Sequence, residues 1–277
     1  MTFTTLVSTD QLAAHLGDWR IFDCRHDLMK PELGEQQYRQ AHIPGALFAS
    51  LDRDLSAAKN GRNGRHPLPA PQEFQKWIDR SGLKPTDQVV CYDGGPGAMA
   101  ARLWWMLRWV GHDAVAVLDG GFAKWTQEKR PVSAELPPVA PSRYPIRVRP
   151  QMAASVEALS ADLGASMLVD ARAPARYRGE QEPIDPVAGR IPGSRNRFNM
   201  DNLTAQGTHK APAELRRELE RALGNRKPEE VVHYGGSGVA ACHNLLAMEV
   251  AGLEGGRLYA GSWSEWVADP SRPRESG

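Results

Sequence analysis

Residues 233–244 read HYGGSGVAACHN, a stretch rich in Gly, Ser and Ala between a β-branched run and a helical pattern. Residues this small let several backbone N–H groups point into one hollow, as in anion-binding loops at helix N-termini. The segment 235–240, called here the Gly-rich loop, offers no side chain to attack a substrate, chelate a metal or take up a proton. It predicts a small-anion site that lacks a nucleophile.

The three cysteines, Cys24, Cys91 and Cys242, are far apart and form no CxxC pair. An odd, scattered set predicts neither a disulfide framework nor a structural zinc site, and fits a reducing compartment. Cys242 lies about two helical turns beyond Gly235, too far along a helix to share the N–H donors of the loop. A packing role is favoured for it, and Cys24 and Cys91 are predicted core residues of strands.

The elements that position this loop occur twice along the chain. Four landmarks recur in the same order, at offsets of 147, 148, 142 and about 141 residues. They are IFDCR (21–25) and LVDAR (168–172), AHIPGALF (41–48) and GRIPGSRN (189–196), VVCYDGG (89–95) and VVHYGGS (231–237), and LDGGFAKW (118–125) and LYAGSWSEW (258–266). A repeat of this kind predicts two copies of one fold.

Short β-branched runs alternate with helical periodicity in each copy. The second copy predicts helices at 155–164, 211–225 and 238–252 and strands at 167–172, 230–234 and 256–261; the first predicts helices at 71–83 and 97–111 and strands at 88–93 and 114–120. This alternation predicts an α/β fold in which each domain has a mainly parallel sheet covered by helices. Ligands of such sheets bind beyond the carboxyl ends of the strands, where the Gly-rich loop falls.

A proline-rich segment separates the two copies. Residues 130–150 contain six prolines, which remove backbone donors and favour an extended chain. We therefore predict an N-terminal domain at 1–129, a linker at 130–150 and a C-terminal domain at 151–277.

Composition narrows the possible partners. The 277 residues carry a net charge of +1, with a pI near 7.8, which indicates neither a nucleic-acid surface nor an acidic tail. The N-terminus lacks the basic segment followed by an apolar stretch that is typical of a signal peptide. The most apolar predicted helix is short and is interrupted by Arg108. We therefore expect a cytoplasmic protein without a membrane partner. The segment DGGPG lacks the lysine of a nucleotide-binding loop, and no cofactor or metal is expected.

On these repeated motifs, the chain resembles the tandem-domain rhodanese-type sulfurtransferases, the family of thiosulfate and 3-mercaptopyruvate sulfurtransferases. The resemblance implies two rhodanese-like domains, an inert N-terminal copy, and a C-terminal loop that begins with the cysteine that becomes a persulfide. Gly235 occupies that cysteine position. The substrate-binding remainder of the loop, which fits the mercaptopyruvate-type pattern, is Gly236, Ser237, Gly238, Val239 and Ala240. The N-terminal counterpart of Gly235 is Asp93, whose carboxylate is expected to repel an anionic donor.

The resemblance also implies supporting residues. His66 and Asp52 match the pair that forms a proton relay with the loop hydroxyl, here Ser237; the alternative is a loop histidine that caps a turn. Arg176 matches the arginine that binds the donor's carboxylate or sulfonate. Ile184 replaces a second arginine usual in mercaptopyruvate enzymes, which weakens the case for that donor. Four arginines could compensate or form surface ion pairs: Arg178, Arg190, Arg195 and Arg197.

Two functions remain open at this point. The first is sulfur transfer from thiosulfate or 3-mercaptopyruvate to a thiol, thioredoxin or cyanide through a cysteine persulfide at position 235, with the present chain inactive because it has Gly235. The alternative is a catalytically dead protein that binds an anion or a partner. The retention of Ser237, His66 and Arg176 favours the first. A phosphatase of the Cys-loop-Arg kind is excluded, because residues 235–242 have neither the initial cysteine nor the final arginine.

Overall fold

The computed structural model describes residues 1–224 and 226–277, which form two compact units. The first unit comprises residues 1–57, 69–149 and 205–209, and the second comprises residues 58–68, 150–204 and 210–277. The main division falls between Arg149 and Pro150. Two short segments pack with the opposite half of the sequence: 58–68, which contains His66, belongs to the second unit, and 205–209 belongs to the first.

The first unit is built on a five-stranded sheet of order β1-β5-β4-β2-β3, in which every pairing is parallel. Its elements are β1 (Leu6–Val7), α1 (Thr9–Ala13), β2 (Arg20–Asp23), α2 (Leu33–Gln40), β3 (Leu47–Phe48), α3 (Pro71–Arg80), β4 (Val89–Tyr92), α4 (Ala98–Trp109), β5 (Val115–Leu118) and α5 (Gly121–Gln127). Trp104 and Trp105 of α4 are buried in the core of this unit.

The second unit has a four-stranded parallel sheet of order β7-β6-β8-β9. Its elements are α6 (Val156–Ala161), β6 (Met167–Asp170), α7 (Pro174–Tyr177), β7 (Arg195–Asn196), α8 (Pro212–Leu223), β8 (Val231–Tyr234), α9 (Val239–Val250), β9 (Arg257–Leu258) and α10 (Ser262–Trp266), with short 3₁₀ helices at Pro150–Met152, Asn199–Asn202 and Pro228–Glu230. A parallel bridge from Ala153 to Leu258 lies where the first unit has β1 beside β5.

The predicted α/β fold is confirmed in both units. The central strands are buried at every residue because helices cover both faces of each sheet. The helix predicted at 211–225 ends at Leu223, and Asn225 lies outside the described residues. No helix in the described ranges is long and apolar enough to cross a bilayer.

The Asp-x-Arg pairs that end β2 and β6 brace the loops that follow. Arg172 donates from Nη2 to Asp170 at 2.7 Å and to the Gly189 carbonyl at 2.7 Å, and both side chains are buried. Arg25 repeats the arrangement with Asp23 in the first unit. These charged hydrogen bonds thus stabilise the edge of each sheet at which β4 or β8 ends and the loop to the next helix begins.

The proline-rich segment is extended and packs on the first unit. Ser133 exchanges two backbone hydrogen bonds with His42, and the Arg147 N–H donates to the Val110 carbonyl. Arg149 then pairs with Asp113 through both ends of its guanidinium group. Prolines prevent a helix here, so the chain satisfies its remaining donors on its neighbours.

Candidate active site

The Gly-rich loop links β8 to α9 and is tied to the start of α10. The Gly235 N–H donates to Ser262 Oγ at 3.0 Å, and the Gly235 carbonyl accepts from the Trp263 N–H at 3.0 Å. The Gly236 carbonyl accepts from the Ser264 N–H at 2.9 Å. Three hydrogen bonds to one short helix therefore fix the conformation of the loop's first two residues.

Gly238 is required for the loop to turn into α9. Its φ is +83°, in the left-handed region, and a Cβ there would lie 2.4 Å from the Ala260 carbonyl oxygen. Only glycine fits. Helix α9 then begins at Val239, and its first turn has N–H groups without intrahelical acceptors, so this end favours negative charge.

The corresponding loop of the first unit contains its own anion. Asp93 Oδ1 accepts from the N–H groups of Gly95 and Gly97 at 2.9 and 3.0 Å, and Oδ2 accepts from those of Met99 and Ala100 at 2.9 and 3.3 Å. The Asp93 carboxylate lies where the four backbone donors of this loop converge, which is the place that a bound anion would take. A loop of this type therefore converges backbone donors on a carboxylate.

Position 235 has room for a side chain. A Cβ on Gly235 would lie 3.7 Å from Ala240 Cβ and 3.7 Å from the Ala241 nitrogen, which are ordinary van der Waals distances, and the backbone there is not left-handed. A cysteine could therefore stand at the mouth of the loop without displacing its neighbours.

His66 and Ser237 are brought together. His66 Nδ1 lies 2.7 Å from Ser237 Oγ, and both residues are buried. The segment 58–68 carries His66, so the contact lies within the second unit although the two residues are 171 positions apart. Asp52 belongs to the first unit, and its part in a relay stays a prediction.

Arg176, on the short helix α7, is held by two buried acids. Its Nη2 donates to Glu182 Oε1 at 2.7 Å and to Asp185 Oδ2 at 3.2 Å. Burial raises the pKa of Glu182, but the hydrogen bonds from Arg176 and from backbone N–H groups outweigh burial and hold that pKa below its ordinary value. Glu182 therefore stays ionised at neutral pH and fixes the guanidinium group of Arg176.

Arg65 was missed from sequence. Its Nε donates to Asp185 Oδ1 at 2.9 Å, and a Cβ on Gly236 would lie 2.7 Å from Arg65 Nη2 and 3.4 Å from Arg176 Nη1. Two guanidinium groups therefore meet the loop beside position 235. The sequence signal that could have identified Arg65 is its position directly before His66 in NGRHPLP, because adjacent residues of an extended segment can reach the same site.

At the position expected to hold a second arginine, Ile184 donates its backbone N–H to Glu182 Oε1 at 3.1 Å. The four arginines weighed as substitutes have other partners: Arg178 pairs with Glu180, Arg190 with Glu275, Arg197 with Glu218, and Arg195 donates to the Ala222 carbonyl. Cys242 is fully buried, and its thiol contacts the Gly238 carbonyl at 3.2 Å, one turn back in the helix. That geometry suits a packing residue.

The fold and the loop define the class of protein. Residues 8–128 and 152–269 both match the family model "Rhodanese-like domain", so the chain belongs to the rhodanese family, in the tandem-domain arrangement of its sulfurtransferases. It is 45% identical, over the full length of both chains, to a Pseudomonas aeruginosa protein named "Probable 3-mercaptopyruvate sulfurtransferase". It is 32% identical to mouse thiosulfate sulfurtransferase, covering 95% of this chain and 92% of that one. Among solved structures, 3-mercaptopyruvate sulfurtransferase from Leishmania major aligns with a TM-score of 0.86 at 30% identity, covering 98% of this chain and 75% of that one.

Proposed function

We propose that the second unit binds the small anionic sulfur donor of a 3-mercaptopyruvate or thiosulfate sulfurtransferase, and that sulfur transfer requires a cysteine at position 235. The observation that carries the proposal is the Gly-rich loop, whose donors and flanking arginines are in place around a residue without a side chain. The names of the relatives support this class of donor. The chain with Gly235 is therefore a binding-competent but inactive form.

A cysteine at 235 would supply the missing step. Its thiolate, stabilised by the N–H groups of residues 236–240 and by the N-terminus of α9, attacks the outer sulfur of thiosulfate or the thiol sulfur of 3-mercaptopyruvate. With thiosulfate the S–S bond breaks and sulfite leaves; with 3-mercaptopyruvate the C–S bond breaks and the carbon, once protonated, gives pyruvate. Either way the cysteine keeps the sulfur as a persulfide, which passes it to a thiol, thioredoxin or cyanide.

Ser237 and His66 are suited to polarise the donor. When the imidazole carries its proton on Nδ1, the ring donates to Ser237 Oγ and leaves the hydroxyl hydrogen for an oxygen of the donor. Negative charge that develops on a keto oxygen is then stabilised by a positioned donor. The part of Asp52 in this relay stays a prediction from the family resemblance.

A second function is favoured by Gly235 itself. The glycine removes the nucleophile and leaves the loop geometry intact, as expected of a protein that binds an anion or a partner without turning it over. The two functions differ in whether the remaining groups still form a working site once a thiol is restored.

The test is to restore the thiol. We expect no sulfur transfer by the unmodified chain, and transfer at least about a thousandfold above it for Gly235→Cys, because loss of a covalent nucleophile costs far more than defects around it. The assays measure thiocyanate from thiosulfate and cyanide, and pyruvate from 3-mercaptopyruvate with a thiol. Gly235→Ala is the matched control, since it fills the same space without a thiol.

Two outcomes would contradict the proposal. A folded Gly235→Cys variant without activity would favour the binding protein. Activity in the unmodified chain that disappears in Cys242→Ser would identify Cys242 as the nucleophile and overturn the assignment of position 235.

A further inference from the structure

Four charged side chains of the second unit form one connected cluster beside the Gly-rich loop. Asp185 joins its two arginines: Oδ1 accepts from Arg65 Nε at 2.9 Å, and Oδ2 accepts from Arg65 Nη2 at 3.3 Å and from Arg176 Nη2 at 3.2 Å. Glu182 accepts a further pair of hydrogen bonds from Arg176. The buried carboxylate of Asp185 thus contacts both guanidinium groups, and Glu182 holds Arg176 in addition.

The two acids of the cluster are more deeply buried than the two arginines. The side chains of Asp185 and Glu182 are only 2% and 4% exposed, whereas those of Arg65 and Arg176 are 23% and 17% exposed. Asp185 and Glu182 offset the charges of Arg65 and Arg176, which lowers the cost of keeping the cations together. Arg172 also donates to Glu182 Oε2, at 3.3 Å, and its own charge is offset by Asp170. The more exposed members of the cluster are nevertheless the two hydrogen-bond donors, Arg65 and Arg176.

Each arginine keeps donors for a ligand. A guanidinium group has five N–H bonds, and both arginines use Nε and Nη2 on the acids. Within residues 1–224 and 226–277, Nη1 of Arg65 and Nη1 of Arg176 donate no hydrogen bond. Two NH₂ groups therefore remain to bind an oxyanion from two directions.

Gly236 lets this cluster reach the loop. A Cβ at 236 would lie 2.7 Å from Arg65 Nη2, closer than real Cβ contacts, so any side chain there would push the end of Arg65 away. Arg65 is itself anchored close by, since its backbone N–H donates to Ser264 Oγ at 3.1 Å and Ser264 also binds the Gly236 carbonyl. Arg65 and the loop are therefore positioned by the same residue of α10.

We propose that Arg65 is a donor-binding residue: with Arg176 it holds the oxyanion head group of the sulfur donor, carboxylate or sulfonate, and Asp185 is the positioning residue for both. The inference rests on the proposed function of the loop. It explains how the site keeps two guanidinium groups although Ile184 occupies the position where a second arginine was expected. The second cation enters from segment 58–68 instead.

The first measurement is calorimetric titration of the chain as it stands with thiosulfate and, separately, with pyruvate, at fixed ionic strength. We expect Arg65→Gln to weaken binding by roughly tenfold to a hundredfold, as for loss of charge-assisted hydrogen bonds. Arg65→Lys keeps the charge but loses the planar fork, and an intermediate loss is expected. The two ligands distinguish a sulfonate head group from a carboxylate.

Two further variants separate binding from folding. Gly236→Ala should reproduce most of the loss, because the new methyl group displaces Arg65 and leaves its charge present. Arg178→Gln is the matched control: it removes an arginine of the same unit whose partner, Glu180, is on the surface, and binding should stay within about twofold of the unmodified chain. Equal thermal transitions would show that the variants remain folded.

The outcomes distinguish this inference from the function on which it rests. If the unmodified chain binds neither ligand, the proposed function of the loop fails first. If it binds and Arg65→Gln binds equally well, Arg65 is not a donor ligand although the loop is. In the Gly235→Cys background, Arg65→Gln should raise KM for the donor and leave KM for the acceptor thiol unchanged; a fall in kcat alone would contradict a binding role.

Discussion

Asp93 and Gly235 occupy corresponding positions after β4 and β8, and the difference between them decides what each loop can hold. The buried carboxylate of Asp93 accepts hydrogen bonds from four backbone N–H groups, so the anion position of the first loop is already occupied by this side chain. Gly235 leaves the second loop open, with space for a Cβ. The side chain at this one position therefore determines whether the loop holds its own carboxylate or has space for an external anion.

This comparison predicts that the first loop can be opened. Asp93→Ala should lower the free energy of unfolding by about 3 kcal/mol, because four backbone donors lose a charged acceptor. Sulfate should then restore part of the loss by binding the folded state, and it should stabilise the variant more than the unmodified chain. Urea unfolding with and without sulfate measures both effects.

Asp18→Ala, at an exposed position of the same unit, serves as the control and should change stability little. An Asp93→Ala variant that gains no more from sulfate than this control would show that the loop does not bind anions once its own carboxylate is removed.

The central strands β4, β6 and β8 and the longer helices α3, α4, α8 and α9 were predicted from the sequence, whereas short elements such as β1, β3, α7 and α10 and the segment that completes the site were not. β4, β6 and β8 are short buried runs between helical patterns, so hydrophobic periodicity identifies them. Segment 58–68 contains neither helix nor strand, and its course depends on tertiary contacts. That is why His66 was found only through a family resemblance and Arg65 was not found at all.

The segment is held by a close approach that can be tested. Gly64 has φ +84°, and a Cβ there would lie 2.8 Å from the Gly261 carbonyl oxygen. Gly64→Ala should therefore lift the segment, carrying Arg65 and His66 away from the loop, and should weaken thiosulfate binding by roughly tenfold. Calorimetry with thiosulfate measures the change.

Gly61→Ala is the matched control for Gly64→Ala. Gly61 has nearly the same φ, +82°, but nothing lies within 4 Å of the position of a Cβ, so the substitution adds backbone strain without a collision. If both variants lose affinity equally, strain in the segment and not its contact with Gly261 controls the site.

At the scale of the whole molecule, duplication is visible in individual hydrogen bonds. The Ile43 N–H donates to the Tyr92 hydroxyl at 3.1 Å in the first unit, and the Ile191 N–H donates to the Tyr234 hydroxyl at 3.2 Å in the second. The sequence repeat predicted the common topology because the strands and their bracing pairs recur. The repeat could not predict how the geometry of the two loops differs, because that geometry depends on a few residues in irregular segments.

One consequence of the buried strands is a pH dependence of stability. His233 lies in β8, completely buried, and burial lowers its pKa to about 3; burial also lowers the pKa of His112. Below pH 6.5 the unfolded chain binds protons at these histidines more readily than the folded chain does. Because the unfolded state then holds more protons, stability falls as the pH falls, from the ordinary histidine pKa down to the lowered one.

We therefore expect His233 alone to remove about 2 kcal/mol of the free energy of unfolding between pH 7 and pH 5. Urea unfolding at pH 7, 6 and 5 measures this. His233→Leu should flatten that part of the profile, because the site is apolar and Nδ1 has no hydrogen-bond partner among the described residues. His15→Leu, at a partly exposed histidine, is the control substitution. A His233→Leu variant with the original slope would show that the titration comes from other groups, and that β8 admits a charged imidazole.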